Sequence, residues 1–191
     1  MKKSGLRTIW WTAVLIYLAL VYATLGAAPG LWDRFNGALA GKGLAVVYAS
    51  CLAAGVSVFT YMVFIKKERS FNNYFLFFLF VWVVLALNRL SRFPVDKVHL
   101  VEYGALSLLL YNALKIDFDR FDKKLYVLGS LFCLVAGFFD EAIQWFLPGR
   151  VFDWRDVILN VTSGATVLMV IRFNVLKAPP GSDRVVGAGW M

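Results

Sequence analysis

Apolar residues run along this chain in six long stretches: residues 8–25, 43–65, 71–87, 98–114, 125–147 and 156–176. A run of about 20 mainly apolar residues crosses a bilayer as a helix, and stretches of these lengths fit helices better than strands. The pattern therefore predicts an all-α, polytopic membrane helical bundle of about six transmembrane helices. The third and fourth stretches are short for a full crossing, so they must tilt little, thin the bilayer or extend into their flanks. Lys2, Lys3 and Arg7 precede the first stretch and Gly26, Ala27 and Ala28 follow it, as in a secretory signal. Its apolar run exceeds the usual signal core of about 7–15 residues, which predicts a retained helix. Three parts are expected: residues 1–97 with three helices and no motif, residues 98–176 with the motif-bearing helices four to six, and a flexible cytoplasmic tail over 177–191 containing Pro179, Pro180, Gly181 and Ser182.

Composition removes the other classes. The chain is 60% hydrophobic and 17% charged with a mean hydropathy of +0.68, whereas a soluble domain carries roughly a quarter charged residues. Its 17 Phe and 7 Trp exclude disorder, and 2 Cys cannot make a disulfide scaffold. Cys51 and Cys133 fall inside apolar stretches as small hydrophobes, and no disulfide is expected. The net charge of +8 does not indicate nucleic acid, because the basic residues sit at the ends of apolar runs rather than on one soluble face. There they orient helices and contact anionic head groups. Of the 20 Lys and Arg, 13 fall at the amino end, the second and fourth connections and the carboxyl end, and 7 on the opposite side. The positive-inside rule then puts both termini in the cytoplasm.

Polar residues gather at three helix ends: His99, Glu102 and Tyr103 in the fourth, Asp140, Glu141 and Gln144 in the fifth, Asp156, Asn160 and Ser163 in the sixth. With this topology all lie at the outer membrane depth, beside Asp96, Lys97, Arg150 and Asp153 on the loops. His99 is three residues from Glu102 and four from Tyr103, Glu141 three from Gln144, and Asp156 four from Asn160, so each set shares one helix face. Lipid offers such stripes no partners, so they should face one another around a small outward-facing polar pocket. Pro148 and Gly149 turn the chain so that Arg150 lies over that pocket, and Asp153 or Asp156 can cap the sixth helix.

These residues resemble the VanZ-like family of membrane proteins. The resemblance rests on Asp96-Lys97-Val98-His99 with Glu102-Tyr103-Gly104, then Asp140-Glu141, Gln144, Pro148-Gly149-Arg150, Asp153, Asp156, Asn160 and Gly164, over more than a third of the chain. The lead to His99 is one residue tighter than the family's Asp-Lys-x-x-His form, and the first three helices carry no recognised motif. The resemblance implies a small helical protein of the bacterial inner membrane and a cell-envelope context; the family's founding member is linked to low-level resistance to the glycopeptide teicoplanin. It supplies no reaction.

On the residues themselves, one reading is an enzyme acting on a lipid-linked cell-wall precursor or glycolipid, with His99, Glu102, Asp140, Glu141 and Asp156 as the acid and base candidates. Lys97, Tyr103, Gln144, Arg150, Asp153 and Asn160 would then bind the substrate, the two cations taking an anionic head group. The plainer reading is a network of hydrogen bonds and ion pairs holding three helices together. A proton-coupled carrier or flippase and a non-catalytic assembly subunit are further alternatives. Membrane lipids are the expected partners, nucleic acid is not, and the sequence names neither a cofactor nor an oligomeric state. Oxygen-rich sites suit Mg²⁺ or Ca²⁺, but no tight zinc spacing exists, and no metal ligands are assigned. Ser163 lacks a nucleophile elbow, and the Asn160-Val161-Thr162 sequon falls in a membrane helix. Trp10, Trp11, Trp32 and Trp145 are expected to be membrane anchors. The alternating charges from Lys115 to Lys123 form a solvated turn without the glycine and glutamate of a calcium loop.

Overall fold

A computed structural model of the chain describes residues 3–90, 97–148 and 150–177. Seven α-helices follow in order: α1 (Lys3–Thr24), α2 (Ala28–Ala38), α3 (Gly43–Thr60), α4 (Phe71–Leu90), α5 (Val98–Leu114), α6 (Lys123–Trp145) and α7 (Trp154–Val170). Single π-helical turns extend α3 over Tyr61–Lys66 and α7 over Ile171–Val175. Among the described residues there is no strand. The six apolar stretches are all helices. Four are long and apolar enough to cross a membrane, Lys3–Thr24, Gly43–Lys66, Lys123–Trp145 and Trp154–Val175, while Phe71–Ala86 and Val98–Leu114 are shorter apolar helices. Lys2, Arg92, Pro94, Asp96, Gly149, Arg184 and the tail from residue 178 lie outside the described residues.

The helix starts follow from local chemistry. Asp122 is extended before α6 and accepts the Lys124 N–H, and Asp153 does the same for the Arg155 N–H at α7, each satisfying an amide that a helix start leaves open. Of the two caps open at α7, Asp153 takes the role, and Asp156 stands in the first turn, where the helix dipole favours negative charge. The connection after α1 holds an extra helix. Pro29 lies in the first turn of α2, a position that needs no amide hydrogen, and the Asn36 side chain accepts the Gly43 N–H to start α3.

Packing centres on α5, α6 and α7, with α1 laid against α5. Val14 of α1 joins Tyr103, Leu106, Leu110, Ala113, Cys133 and Ala136 in the largest buried apolar cluster. Lipid tails are as apolar as leucine, so helices associate there through close van der Waals contact and hydrogen bonds rather than by escaping water. Small residues supply the close contact. Along the α6–α7 face, a Cβ on Gly129 would lie 2.8 Å from Leu168 Cδ1, one on Gly137 2.9 Å from Asn160 Cβ, and one on Gly164 2.6 Å from Cys133 Sγ. These pairs form an antiparallel ladder in which each four-residue step up α7 meets a four-residue step down α6. Gly164 is also where α5 arrives, since its Cβ would stand 2.8 Å from Ser107 Oγ.

Candidate functional site

One further step of the same ladder, towards the start of α7, sets Asp156 beside Glu141. The three-helix contact thus changes from Gly, Cys and Leu at one end to carboxylates at the other. His99 and Tyr103 enter from the first turns of α5, and Asp140 and Gln144 from the last turns of α6. Asp140 and Asn160 are fully buried, Glu141 is 1% exposed and His99 4%.

The groups are joined in one network. His99 Nδ1 lies 2.9 Å from Glu102 Oε2 and 3.8 Å from Asp140 Oδ2, so the N–H on that atom faces two carboxylates. The Tyr103 hydroxyl donates to Asp140 Oδ2 at 3.1 Å. Gln144 Nε2 donates to Asp140 Oδ1 and Glu141 Oε1, each at 3.1 Å. Glu141 Oε2 takes the Asp153 backbone N–H at 3.1 Å, tying the loop before α7 to α6. Arg150, half-buried, donates through Nη2 to Gln144 Oε1 at the rim of the network, and the Glu102 side chain is 29% exposed. Carboxylates a hydrogen bond away from an imidazole can hold and pass a proton, and a half-buried guanidinium beside them can take an anion.

The structure brings together His99, Glu102, Tyr103, Asp140, Glu141, Gln144, Arg150 and Asp153. Other candidates are engaged elsewhere. Lys97 Nζ donates to the Tyr48 hydroxyl of α3 at 3.1 Å. The Ser163 hydroxyl donates to the Leu100 carbonyl at 2.8 Å and so serves as a tie between α7 and α5. Neither amide atom of Asn160 has a hydrogen-bond partner among the described residues. Asp96 and Gly149, both part of the motif, lie outside those residues. No three His, Cys, Asp or Glu side chains among the described residues converge as metal ligands.

Two residues of α1 reach this end of the bundle without any motif to announce them. The Tyr17 hydroxyl donates to the Glu102 carbonyl at 3.0 Å and the Tyr22 hydroxyl to the Ala136 carbonyl at 2.8 Å. The available signal was two phenols within one apolar run, since a hydroxyl in lipid must find an acceptor. Around the α6–α7 loop Phe152 packs edge-to-face with Trp154 at 4.9 Å and with Phe138 at 5.8 Å between ring centroids. Trp145, 68% exposed, and Trp154, 62% exposed, face outward as interfacial anchors do.

A second polar group lies at the other end. Lys66 is turned inward, its side chain 7% exposed, and pairs with Glu68 at 2.8 Å while donating to the Phe173 carbonyl at 3.0 Å. It is therefore a helix tie and not the head-group contact that its place after an apolar run suggests. Glu68 also accepts from the Ser70 N–H at 2.9 Å and Asn73 Nδ2 at 2.7 Å. Partial burial pushes the Glu68 carboxyl up, but these hydrogen bonds and the Lys66 charge outweigh it and hold the group at about 2.

A protein-family model described as VanZ/LLP1 matches residues 12–176. The match begins within α1, so it takes in the helices without a recognised motif as well as the whole polar network. No curated protein and no solved structure matches the chain.

Proposed function

The chain belongs to the VanZ-like family, and on that premise we propose that it works in the bacterial inner membrane, crossing six times with both termini in the cytoplasm. In this reading the polar network faces the extracytoplasmic side and recognises an anionic envelope lipid or lipid-linked cell-wall precursor. Arg150 takes the anionic head group. His99 and Glu141, supported by Glu102, Asp140 and Asp156, move a proton if the bound lipid is processed.

The observation that carries the proposal is the burial of Asp140 and Glu141 beside His99 in one hydrogen-bonded set, with a cation at its rim. Ionisable groups within membrane helices are expensive and by default functional. The unpartnered amide of Asn160 adds a buried donor and acceptor one helical turn from Asp156. A proton-coupled carrier fits less well, because beyond Asn160 the ladder offers the hydroxyl–thiol pair of Ser107 and Cys133, 3.4 Å apart, and then Gly129 and Leu168, which carry no exchangeable side-chain proton.

Native mass spectrometry of the purified protein with a polyprenyl phosphate tests this. Wild type should retain the lipid, Arg150→Gln should lose most of it, and His99→Gln should bind but not process it. Equal retention by wild type and Arg150→Gln sinks the head-group assignment. Glycopeptide tolerance is the cellular form of the same proposal: expression of the chain should raise the teicoplanin concentration that a susceptible host survives, and Arg150→Gln should not.

A further inference from the structure

At the end of the bundle away from the carboxylates, a groove of about 390 Å³ runs between α1, α5 and α6, with Trp11, Leu110, Leu114, Leu131, Phe132 and Val135 among its walls. A second hollow of about 300 Å³ lies at the start of α6 under Lys123, Lys124 and Val127. Leu128 borders both, and Lys124, Leu128, Leu131 and Val135 follow one another at helical spacing along one face of α6. One end of this path is wholly apolar and the other carries two ammonium groups.

The dimensions suit a lipid in a single leaflet. From Lys123 to Val135 the helix rises about 18 Å at 1.5 Å per residue, close to half of a hydrocarbon core of about 30 Å. The floor of the groove is tightly packed, with Leu110 fully buried and Leu114 6% exposed, while Leu131 and Val135 on its lip are 51% and 48% exposed. Trp11 and Phe132, with ring centroids 6.0 Å apart, form its side wall. The nearby cation Arg7 is committed to Asp117 at 3.1 Å. Lys123 and Lys124 are exposed, and among the described residues neither ammonium has a hydrogen bond or ion pair. By the charge count this is the lysine-rich, cytoplasmic end, where the leaflet is anionic.

We propose that this path binds one anionic phospholipid of the cytoplasmic leaflet, an acyl chain lying in the Trp11–Val135 groove and the phosphate held by Lys123 and Lys124. The site stands at the opposite end of the bundle from the polar network and shares with the function proposed for that network only the membrane topology. A zwitterionic lipid would fill the groove but leave the two ammonium groups uncompensated, so head-group charge sets the selectivity.

Native mass spectrometry of the full chain, released from detergent with phosphatidylglycerol or phosphatidylethanolamine, reads this directly. Wild type should keep one phosphatidylglycerol in preference to phosphatidylethanolamine. The Lys123→Gln/Lys124→Gln double variant should bind phosphatidylglycerol about 30-fold more weakly, equivalent to about 2 kcal/mol at 1.4 kcal/mol per tenfold. Leu131→Trp, which fills the groove and keeps both lysines, should also lose the lipid, whereas Arg150→Gln should keep it. Equal retention of the two lipids by wild type, or undiminished phosphatidylglycerol binding by the double variant, overturns the proposal. Loss in Arg150→Gln alone would assign the bound lipid to the other site and overturn it equally.

Discussion

Gly164 is the position where one added carbon should do the most damage. It is buried where α5, α6 and α7 meet, and its Cβ would lie 2.6 Å from Cys133 Sγ, 2.8 Å from Ser107 Oγ and 3.1 Å from Cys133 Cβ. Two of these contacts are below any separation that real Cβ atoms adopt, and Cys133 and Ser107 are themselves fully buried, so α7 must move as a unit. Overpacking of this kind costs about 1–3 kcal/mol, and two sub-contact neighbours on different helices put Gly164→Ala near the top of that range. Alanine recovers roughly 1 kcal/mol of helix propensity. The net loss is then about 2 kcal/mol, or about 4–8 °C in melting temperature for a chain of this size. The comparison with other glycines isolates the cause. Gly104→Ala, whose Cβ would stand 3.5 Å from Val167 Cγ2, has room and should melt at or above wild type. Gly129→Ala makes its one sub-contact approach to the far end of Leu168, with Leu114 Cδ1 at an ordinary 3.6 Å, and should fall between the two. Thermal melts of the three variants in one detergent test the ordering. A Gly164→Ala protein as stable as Gly104→Ala would refute the ladder as the source of the three-helix packing.

Other variants probe single groups. The Glu68 carboxyl sits at about 2 when folded against an ordinary 4.5, so its stabilisation is complete above about pH 4.5 and is lost as pH falls towards 2. Acid melts should therefore drop more steeply over that window in wild type than in Glu68→Gln, and parallel curves would contradict the clamp. Tyr22→Phe removes the hydroxyl that bonds the Ala136 carbonyl and should lower stability by about 1 kcal/mol, read from the shift of the melt. Glu141→Gln leaves an amide NH₂ where one carboxylate oxygen received either Gln144 Nε2 or the Asp153 N–H, and should cost about 1–3 kcal/mol. An unchanged melt would show that these two donors are satisfied in another way.

How far the sequence could be read depended on whether the signal was local. The stretch predicted over 43–65 is the helix Gly43–Thr60 with its π-turn to Lys66, and that over 98–114 is α5 itself, because continuous apolarity suffices to mark such helices. The same-face spacing of His99, Glu102 and Tyr103 and of Glu141 and Gln144 points to stripes that face one another, since lipid leaves them no other partners; the structure joins α5 to α6 through Asp140, which accepts from Tyr103 and Gln144, while the Asn160 amide on α7 has no hydrogen-bond partner among the described residues. Helix α2 falls in the connection between the first two apolar stretches, where Gly26, Pro29 and Gly41 break the apolar run although Leu31, Trp32 and Phe35 recur at helical spacing. For Tyr17 and Tyr22 the sequence shows only that two phenols in an apolar run need acceptors; which acceptors they find is not encoded locally, because these are backbone carbonyls 85 and 114 residues away. Lys66 followed the charge pattern of a membrane boundary, yet Glu68 and the Phe173 carbonyl together draw it inward. The glycine ladder was present as the four-residue spacing of Gly129, Cys133 and Gly137, and its meaning depends on the antiparallel partner that α7 supplies.

The buried network with Arg150 at its rim should act as a binding site and more than a tie between helices. Its most direct test is the melting temperature of wild type and Arg150→Gln, each with and without a polyprenyl phosphate. A ligand present at 100 times its dissociation constant stabilises the folded state by about 2.7 kcal/mol, or roughly 5–11 °C here. That rise is expected in wild type and little or none in Arg150→Gln, with both proteins still folded before ligand is added. The same rise in both proteins, or none in wild type, would contradict it.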